Sequence, residues 1–381
     1  MATELPESGE GKGDNMSEAI VLSGGGGFAA YEVGVMKGLF EKQPAFRPAI
    51  YTGASAGSYN AALMVSHDRL GPKAAVEHLE QIWMEKIAAN PRTLENGVFR
   101  LRGDFPRYLD AVFSPHPSVE PFIEMADDAS FFAQDFLNRA THALFSKASL
   151  QRRAFELVDL TAFFSAEPMR NLVRNTIDFA KIRASSAQIS IAVTDWLNGE
   201  VKTFGADKLT DAFGPLAIAA SSAIPGIFPP VECEGCHYAD GGVLVNTPLS
   251  PAIRMGANVL HAIYLSPDPS DVPLPGTQNT VATLERLLII GISGRITTDI
   301  DNLRRINKTI ESGGSTIYEP LTVHRYRPLR SLGGVLGLLD FRQGRIGTLI
   351  ERGYRDALEH DCVANRCVLA EGAARTATVR S

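Results

Sequence analysis

The fold is decided by the stretch Ile50-Tyr51-Thr52-Gly53-Ala54-Ser55-Ala56-Gly57, in which a short apolar run ends in a turn of small residues. Small and apolar residues continue from Ser58 to Val65, and this order predicts a strand, a tight turn and a helix. Upstream, the apolar run 19–22 and the glycine run 24–27 precede a helical pattern over residues 31–41. Two strand–turn–helix units in succession predict an α/β fold with a mainly parallel sheet and crossover helices.

The composition is that of an ordinary globular protein, with 381 residues, 45% hydrophobic and 21% charged. The formal net charge of -6 argues against nucleic acid as a main partner and against simple electrostatic adhesion to anionic lipid. Residues 1–17 contain no apolar stretch, so they predict a disordered tail rather than a signal peptide or membrane span. We expect a cytoplasmic protein whose contact with membranes, if it has any, is peripheral.

Two further segments follow the tail. Residues 18–270 are predicted to form the main α/β domain, and residues 271–381 a mainly helical extension packed on it. Within the first, residues 70–187 are interpreted as a helical, Phe-rich insertion, because twelve of the 19 phenylalanines lie between Phe99 and Phe179. Aromatic side chains bury large areas, so this insertion forms either an ordinary helical layer or the lining of an apolar groove.

The candidate nucleophile is Ser55, in the pattern Gly53-x-Ser55-x-Gly57 between a predicted strand and a predicted helix. A serine at such a turn is held in a strained conformation with its hydroxyl above the sheet, and glycines on either side avoid clashes. The helix N-terminus at this point favours developing negative charge. Because small residues also meet by chance in tight turns, the interpretation depends on the strand before and the helix after.

A serine nucleophile needs a base, and the eight histidines offer no obvious candidate in a loop after a strand. His261 lies within the predicted strand 259–265 and is interpreted as a core or edge residue. Asp240 is different, because it ends a strand and Gly241-Gly242 leaves its surroundings uncrowded. A desolvated aspartate there could accept the serine proton directly. The alternative is a plain Asp-Gly turn.

The run Gly24–Gly27 closes a predicted strand and opens a predicted helix, so its backbone N–H groups converge and can bind an oxyanion. The alternative is a nucleotide phosphate loop. No Gly-Lys-Ser/Thr sequence follows, and Ala29 breaks the dinucleotide-binding pattern, so oxyanion binding is preferred.

The four cysteines form two close pairs, Cys233 with Cys236 and Cys362 with Cys367. Their spacings resemble those of zinc sites only loosely. Glu234-Gly235 reads as a hairpin turn that puts the first pair on opposite arms. We therefore expect reduced thiols and no metal site.

Together these elements resemble the patatin-like phospholipase family. The motifs that carry the resemblance are Gly24-Gly25-Gly26-Gly27 with Tyr31 and Gly34-Val35, Gly53-Ala54-Ser55-Ala56-Gly57, the run 221–230, Asp240-Gly241-Gly242, and Asn246-Thr247-Pro248, which also predicts a capped helix start.

The resemblance implies a three-layer α/β/α fold and a serine–aspartate dyad without histidine. Ser55 would be the nucleophile, Asp240 the general base, and Gly24, Gly25 and Gly26 the oxyanion donors. It further implies hydrolysis of phospholipid, lysophospholipid or glyceride esters through an acyl-enzyme, with neither metal nor cofactor. Close alternatives are a lipid acyltransferase or transacylase and a non-catalytic lipid-binding scaffold on the same fold.

Two further features of the sequence bear on the head group of the substrate and on membrane contact. Phe28-Ala29 occupies the place where the family usually has a basic residue and a glycine, which weakens the case for a phosphate head group. The apolar segment Leu332–Leu339 is either a membrane-contacting loop near the active site or a segment packed against the C-terminal helices.

Overall fold

The computed structural model describes residues 17–89, 96–101, 123, 125–130, 132–134, 137, 164–266, 280–314, 316 and 318–370. The predicted tail lies outside them except for Ser17, as does most of the Phe-rich segment between residues 102 and 163.

Within the described residues, the central sheet has eight strands: β1 (Glu18–Leu22), β2 (Ile50–Ala54), β5 (Gln188–Asp195), β6 (Glu200–Gly205), β7 (Val231–Cys233), β8 (Cys236–Asp240), β9 (Val259–Ile263) and β10 (Thr322–Tyr326). Their order in the sheet is β10-β9-β1-β2-β5-β8-β7, with β6 also paired to β5. The run from β10 to β5 is parallel throughout, whereas β6, β7 and β8 are antiparallel to their neighbours. The predicted mainly parallel sheet is confirmed. A separate two-stranded pair joins β3 (Arg100–Leu101) and β4 (Phe164–Ser165).

Helices cover both faces of the sheet. They are α1 (Ala30–Lys42), α2 (Ala56–Ser66), α3 (Pro72–Ile82), α4 (Glu167–Thr176), α5 (Phe179–Arg183), α6 (Gly214–Ser221), α7 (Leu249–Arg254), α8 (Thr280–Glu311) and α9 (Gln343–Leu358). Both faces of the sheet need this cover because both are apolar. In strand β1, Ile20 and Leu22 lie in one apolar core, and Ala19 and Val21 lie in the other. A central parallel strand buried on both faces reads as a continuous apolar run. The result is the three-layer α/β/α arrangement.

The C-terminal part contributes to the sheet as well as to the helical layers. Strand β10 pairs with β9, so the predicted boundary at residue 270 divides two neighbouring strands of one sheet. Helix α9 packs directly on α1, where a Cβ added at Gly34 would lie 1.9 Å from the carbonyl oxygen of Ile350. Within the described residues, no helix combines the length and the hydropathy needed to cross a bilayer.

One predicted helix start is wrong by a residue. Helix α7 begins at Leu249, and Pro248 before it makes no side-chain cap. The Thr247 hydroxyl, predicted to cap this helix, instead forms a 2.7 Å hydrogen bond with the hydroxyl of Ser23. The motif therefore ties the loop before α7 to the end of β1.

Candidate active site

Ser55 lies at the junction of β2 and α2 with φ 52 and ψ −132, a conformation that a residue with a side chain rarely adopts. Backbone crowding explains the glycines around it. A Cβ at Gly53 would lie 2.3 Å from the carbonyl oxygen of Gly57, and one at Gly57 would lie 2.7 Å from that of Ser23. The strained turn predicted from Gly-x-Ser-x-Gly is therefore present.

The sheet brings Asp240 to Ser55 through their common neighbour β5. Strand β6 occupies one edge of β5, so β2 and β8 share the other edge, one after the other. Ala54 at the end of β2 pairs with Ala192, and Asp240 at the end of β8 pairs with the next residue, Val193. Strands β2 and β8 therefore run in opposite directions along this edge of β5, and their C-terminal ends meet. The Oγ atom of Ser55 donates a 2.6 Å hydrogen bond to Oδ2 of Asp240.

The Asp240 carboxyl is buried, with 4% of the residue exposed. Burial raises its pKa from an ordinary 3.8 to about 6, and the hydrogen bonds from Ser55 and from the N–H of Gly242 oppose that rise. The Gly242 N–H donates to Oδ1 at 2.6 Å, so each carboxyl oxygen has one donor. A carboxyl held in this way is a stronger base than an exposed one and keeps a fixed orientation.

Histidine has no part in these contacts. His261 lies on β9, is buried, and forms a 3.3 Å hydrogen bond with the Tyr326 hydroxyl. Its interpretation as a core residue is confirmed. Among the described hydrogen bonds of Ser55 and Asp240, none involves an imidazole.

The glycine run lies beside Ser55, but its members differ. The Gly24 N–H donates to the carbonyl oxygen of Asn246 at 2.9 Å, so this amide is already engaged and the predicted oxyanion role is not available to it in this arrangement. Gly26, at φ +52, lines the same cleft as Ser55. The amides of Gly25 and Gly26 stand where a 3-10 turn begins, which is where backbone N–H groups lack partners within the helix.

A buried hydrogen-bond network lies behind the glycine run and was not predicted from the sequence. Oε1 of Glu32 accepts from the Ser23 N–H at 2.6 Å, and Oε2 accepts from Nδ2 of Asn60 at 2.9 Å. The Asn60 amide oxygen accepts from Nε1 of Trp83 at 2.8 Å. Burial raises the pKa of Glu32 well above its usual range, and these hydrogen bonds oppose the rise. The sequence signal that could have predicted this network is the position of Glu32 in an otherwise apolar stretch of α1.

An apolar cleft opens at Ser55. Its walls include Trp83, Phe99 and Met169 from the Phe-rich segment 70–187, and Phe228 from the chain after it. The rings of Phe99 and Phe228 both contact the ring of Phe164, with ring centroids 5.5 Å apart for Phe99–Phe164 and 6.0 Å apart for Phe164–Phe228. Polar groups are few here, so the cleft suits a hydrocarbon chain.

The Patatin-like phospholipase family model matches residues 20–253, which include the elbow, the glycine run and Asp240. The chain belongs to the patatin-like phospholipase family. "Uncharacterized NTE family" proteins of Mycobacterium bovis and Mycobacterium tuberculosis are 31% identical over 128 residues, which are 32% of this chain. The match covers 34% of those proteins, so this chain spans about a third of the length of the relatives.

Solved structures related to this patatin-like chain are distant. The crystal structure of VipD from Legionella pneumophila aligns over 90% of this chain and 66% of its own, with 14% identity and a TM-score of 0.36. The type III effector protein ExoU aligns over 91% of this chain and 52% of its own, with 13% identity and a TM-score of 0.30.

Where the resemblance implies a basic residue, this patatin-like chain uses Phe28 as an anchor. The ring is buried against Gly337, where an added Cβ would lie 2.7 Å from Cζ of Phe28. The Leu338 carbonyl oxygen faces Gly26, and Leu332 is buried in the core. The segment Leu332–Leu339 therefore packs over the glycine run, and its contact with a membrane stays a prediction.

Proposed function

We propose that this chain is a serine lipid-acyl hydrolase with Ser55 as nucleophile and Asp240 as its only side-chain base. The observation that carries the proposal is the 2.6 Å hydrogen bond from the Ser55 hydroxyl to a buried carboxylate at the mouth of an apolar cleft. Family membership supports lipid hydrolysis as the reaction class.

In the acylation step, Oγ of Ser55 attacks the ester carbonyl carbon and its proton passes to Oδ2 of Asp240. The tetrahedral intermediate then collapses, the ester C–O bond breaks, and Asp240 returns the proton to the leaving alcohol. In deacylation, Asp240 takes a proton from a water molecule while the oxygen of that water attacks the acyl carbon. Collapse releases the fatty acid, and Ser55 recovers its proton from Asp240.

The oxyanion of both intermediates would be held by the backbone N–H groups of Gly25 and Gly26. Each donor of this kind lowers the barrier by about 3 kcal/mol in comparable hydrolases. The Glu32 network supports their position, because its carboxylate fixes the N–H of Ser23, directly before the run. Gly24 contributes through its hydrogen bond to Asn246, which anchors the start of the loop.

The substrate class follows from the cleft. An acyl chain of a phospholipid, lysophospholipid or glyceride would lie between Trp83, Met169 and Phe228, with its ester at Ser55. Such substrates reside in bilayers or droplets, so the protein would act at a lipid surface from the cytoplasm.

The test is labelling with a fluorophosphonate probe, followed by hydrolysis of a lipid panel. We expect wild-type protein to be labelled and Ser55→Ala to lose both labelling and fatty-acid release. The matched control is Ser222→Ala, since Ser222 lines the same cleft but its buried hydroxyl has no described hydrogen-bond partner. Labelling should survive in this control.

Folded wild-type protein that takes no label would instead favour a lipid-binding scaffold. Transfer of the acyl chain to an added alcohol, in preference to water, would favour a transacylase.

A further inference from the structure

Four potential metal ligands meet at the far edge of the sheet, away from Ser55. This C-terminal cysteine–histidine cluster consists of His324 on the edge strand β10, and His360, Cys362 and Cys367 in the turn after α9. One ligand atom of each residue lies within 4.8 Å of the others. All four side chains are partly buried.

Three of the sulfur–nitrogen distances in the cluster match those of a tetrahedral zinc site. Sγ of Cys362 lies 3.5 Å from Nδ1 of His324 and 3.7 Å from Nε2 of His360. Sγ of Cys367 lies 3.6 Å from the same Nε2 atom. With zinc–sulfur and zinc–nitrogen bonds of ~2.3 Å and ~2.05 Å, a tetrahedral angle places sulfur and nitrogen about 3.6 Å apart.

We propose that His324, His360, Cys362 and Cys367 bind one structural Zn²⁺ ion. Two thiolates and two neutral imidazoles form a Cys₂His₂ set, in which the thiolate charges balance the metal charge. Soft sulfur with imidazole selects zinc over magnesium or calcium, which prefer oxygen. The backbone N–H of Arg325 donates to Sγ of Cys367 at 3.2 Å, and hydrogen bonds of this kind orient metal ligands and tune their affinity.

The ligands are held by two elements that are independent of the metal. The turn closes on itself, with the N–H of Cys367 donating to the carbonyl oxygen of Cys362 at 2.9 Å. Val368 then pairs with Val323 through N–H to O bonds of 2.7 Å and 3.0 Å. The metal would therefore fasten the C-terminal turn to β10 and cover an edge strand that would otherwise be open to other chains.

The other cysteine pair provides a contrast. Cys233 and Cys236 face each other across the β7–β8 hairpin, one buried and the other exposed. Among the described residues, the only group of three or more potential metal ligands is the C-terminal cluster.

The zinc site is structural rather than catalytic. Strand β10 is three positions from β2 in the sheet, about 14 Å at the usual strand spacing. Ser55 and Asp240 form their hydrogen bond without any residue of the cluster.

The test measures metal in the full-length chain, expressed with zinc and gel-filtered to remove loosely bound ions. Elemental analysis should give about one zinc per chain for wild type. Cys362→Ser with Cys367→Ser, and separately His324→Ala, should reduce zinc severalfold or more. The matched control Cys236→Ser removes an exposed thiol of the other pair and should retain the zinc.

A second measurement does not depend on the folding of a variant. Wild-type protein stripped of zinc and loaded with Co²⁺ should show the intense visible ligand-field bands of tetrahedral cobalt and a thiolate charge-transfer band. Zinc should displace that spectrum and protect two thiols from alkylation, and a chelator should lower the melting temperature. Wild-type protein that binds neither metal overturns the proposal, as does a Cys362–Cys367 disulfide in protein purified under nitrogen. Equal zinc loss from Cys236→Ser would also overturn it.

Discussion

At the level of single residues, the site combines a strained serine with a buried carboxylate. Ser55 and Asp240 are each 4% exposed. Desolvation has the largest influence on the Asp240 pKa and raises it. The opposing influences are the hydrogen bonds from Ser55 and Gly242, which are neutral groups. The pair therefore keeps a base of raised pKa next to the hydroxyl that it must deprotonate.

Replacing Asp240 by Asn tests the base directly. Asn preserves the shape of the side chain and can still accept from Ser55, but it cannot take a proton. We expect turnover to fall about 10²–10⁴-fold with little change in the circular dichroism spectrum. Single-turnover acylation with a chromogenic ester provides the measurement, with Ser55→Ala as the zero. Wild-type rates in folded Asp240→Asn would remove Asp240 from the mechanism.

The raised pKa of Asp240 also predicts a pH dependence. Because the base must be ionised, kcat/KM should fall as the pH drops through about 6. The stability effect has the opposite sign. A pKa raised from 3.8 to about 6 stabilises the fold while the carboxyl is protonated, and this contribution, about 3 kcal/mol, is lost as the pH rises through that window.

These two pH effects are separable by measurement. Activity profiles report the first, and urea unfolding of wild type against Asp240→Asn between pH 4 and 7 reports the second. An activity profile that is flat between pH 5 and 7 would contradict the assignment of the base.

At the scale of elements, the glycine run and the segment Leu332–Leu339 are fitted together through backbone atoms. A Cβ at Gly26 would lie 2.3 Å from the Leu338 carbonyl oxygen. Gly26→Ala should displace this loop and lower kcat roughly 10²-fold or more, since an oxyanion donor moves. The control Gly71→Ala also has a left-handed φ, +83, but has open space, so it should lower stability and leave kcat unchanged. Steady-state kinetics on both variants decide the point.

Helices α1 and α9 pack closely enough for backbone atoms to touch at Gly353. A Cβ at Gly353 would lie 2.1 Å from the Tyr31 carbonyl oxygen, so Gly353→Ala should lower the free energy of unfolding by about 1–3 kcal/mol or more. In the same helix, a Cβ at Gly347 meets only the end of the Met84 side chain at 3.7 Å. Gly347→Ala should be neutral or stabilising by up to about 1 kcal/mol. Thermal melts should therefore give a lower melting temperature for Gly353→Ala and an unchanged or higher one for Gly347→Ala.

At the scale of the whole molecule, the sheet depends on residues far beyond the family match. Strand β10 and helix α9 both lie after residue 270 and pack on β9 and α1. A fragment ending at residue 270 should therefore show no cooperative thermal unfolding and take no fluorophosphonate label. The full chain is the control. A fragment that melts cooperatively and takes the label would establish residues 18–270 as an autonomous domain.

Much of the fold was predictable, since local patterns encode it. The two strand–turn–helix units and the hairpin that pairs Cys233 with Cys236 all formed where turn residues and apolar runs indicated. The α7 start was misplaced because the Thr247 hydroxyl had a tertiary partner, Ser23, that competed with capping. The Glu32 network was missed because a buried glutamate looks like any other helical glutamate until its partners are known.

Local sequence alone is enough to predict the tight turn at Ser55, because a Cβ at Gly53 would clash with the carbonyl oxygen of Gly57 only four residues away. The need for glycine at position 57 comes from packing, because its Cβ would meet Ser23 at the end of β1. The sequence by itself also determined that β1 is buried on both faces, because a continuous apolar run has no polar side to expose. The meeting of Asp240 with Ser55 is visible only in three dimensions, because it depends on β2 and β8 sharing one edge of β5. Only the tertiary structure decided that Gly24 is engaged while Gly26 faces the cleft, and that His324 joins two distant cysteines. Contacts between residues far apart in the chain are fixed by strand order and packing, which no local spacing records.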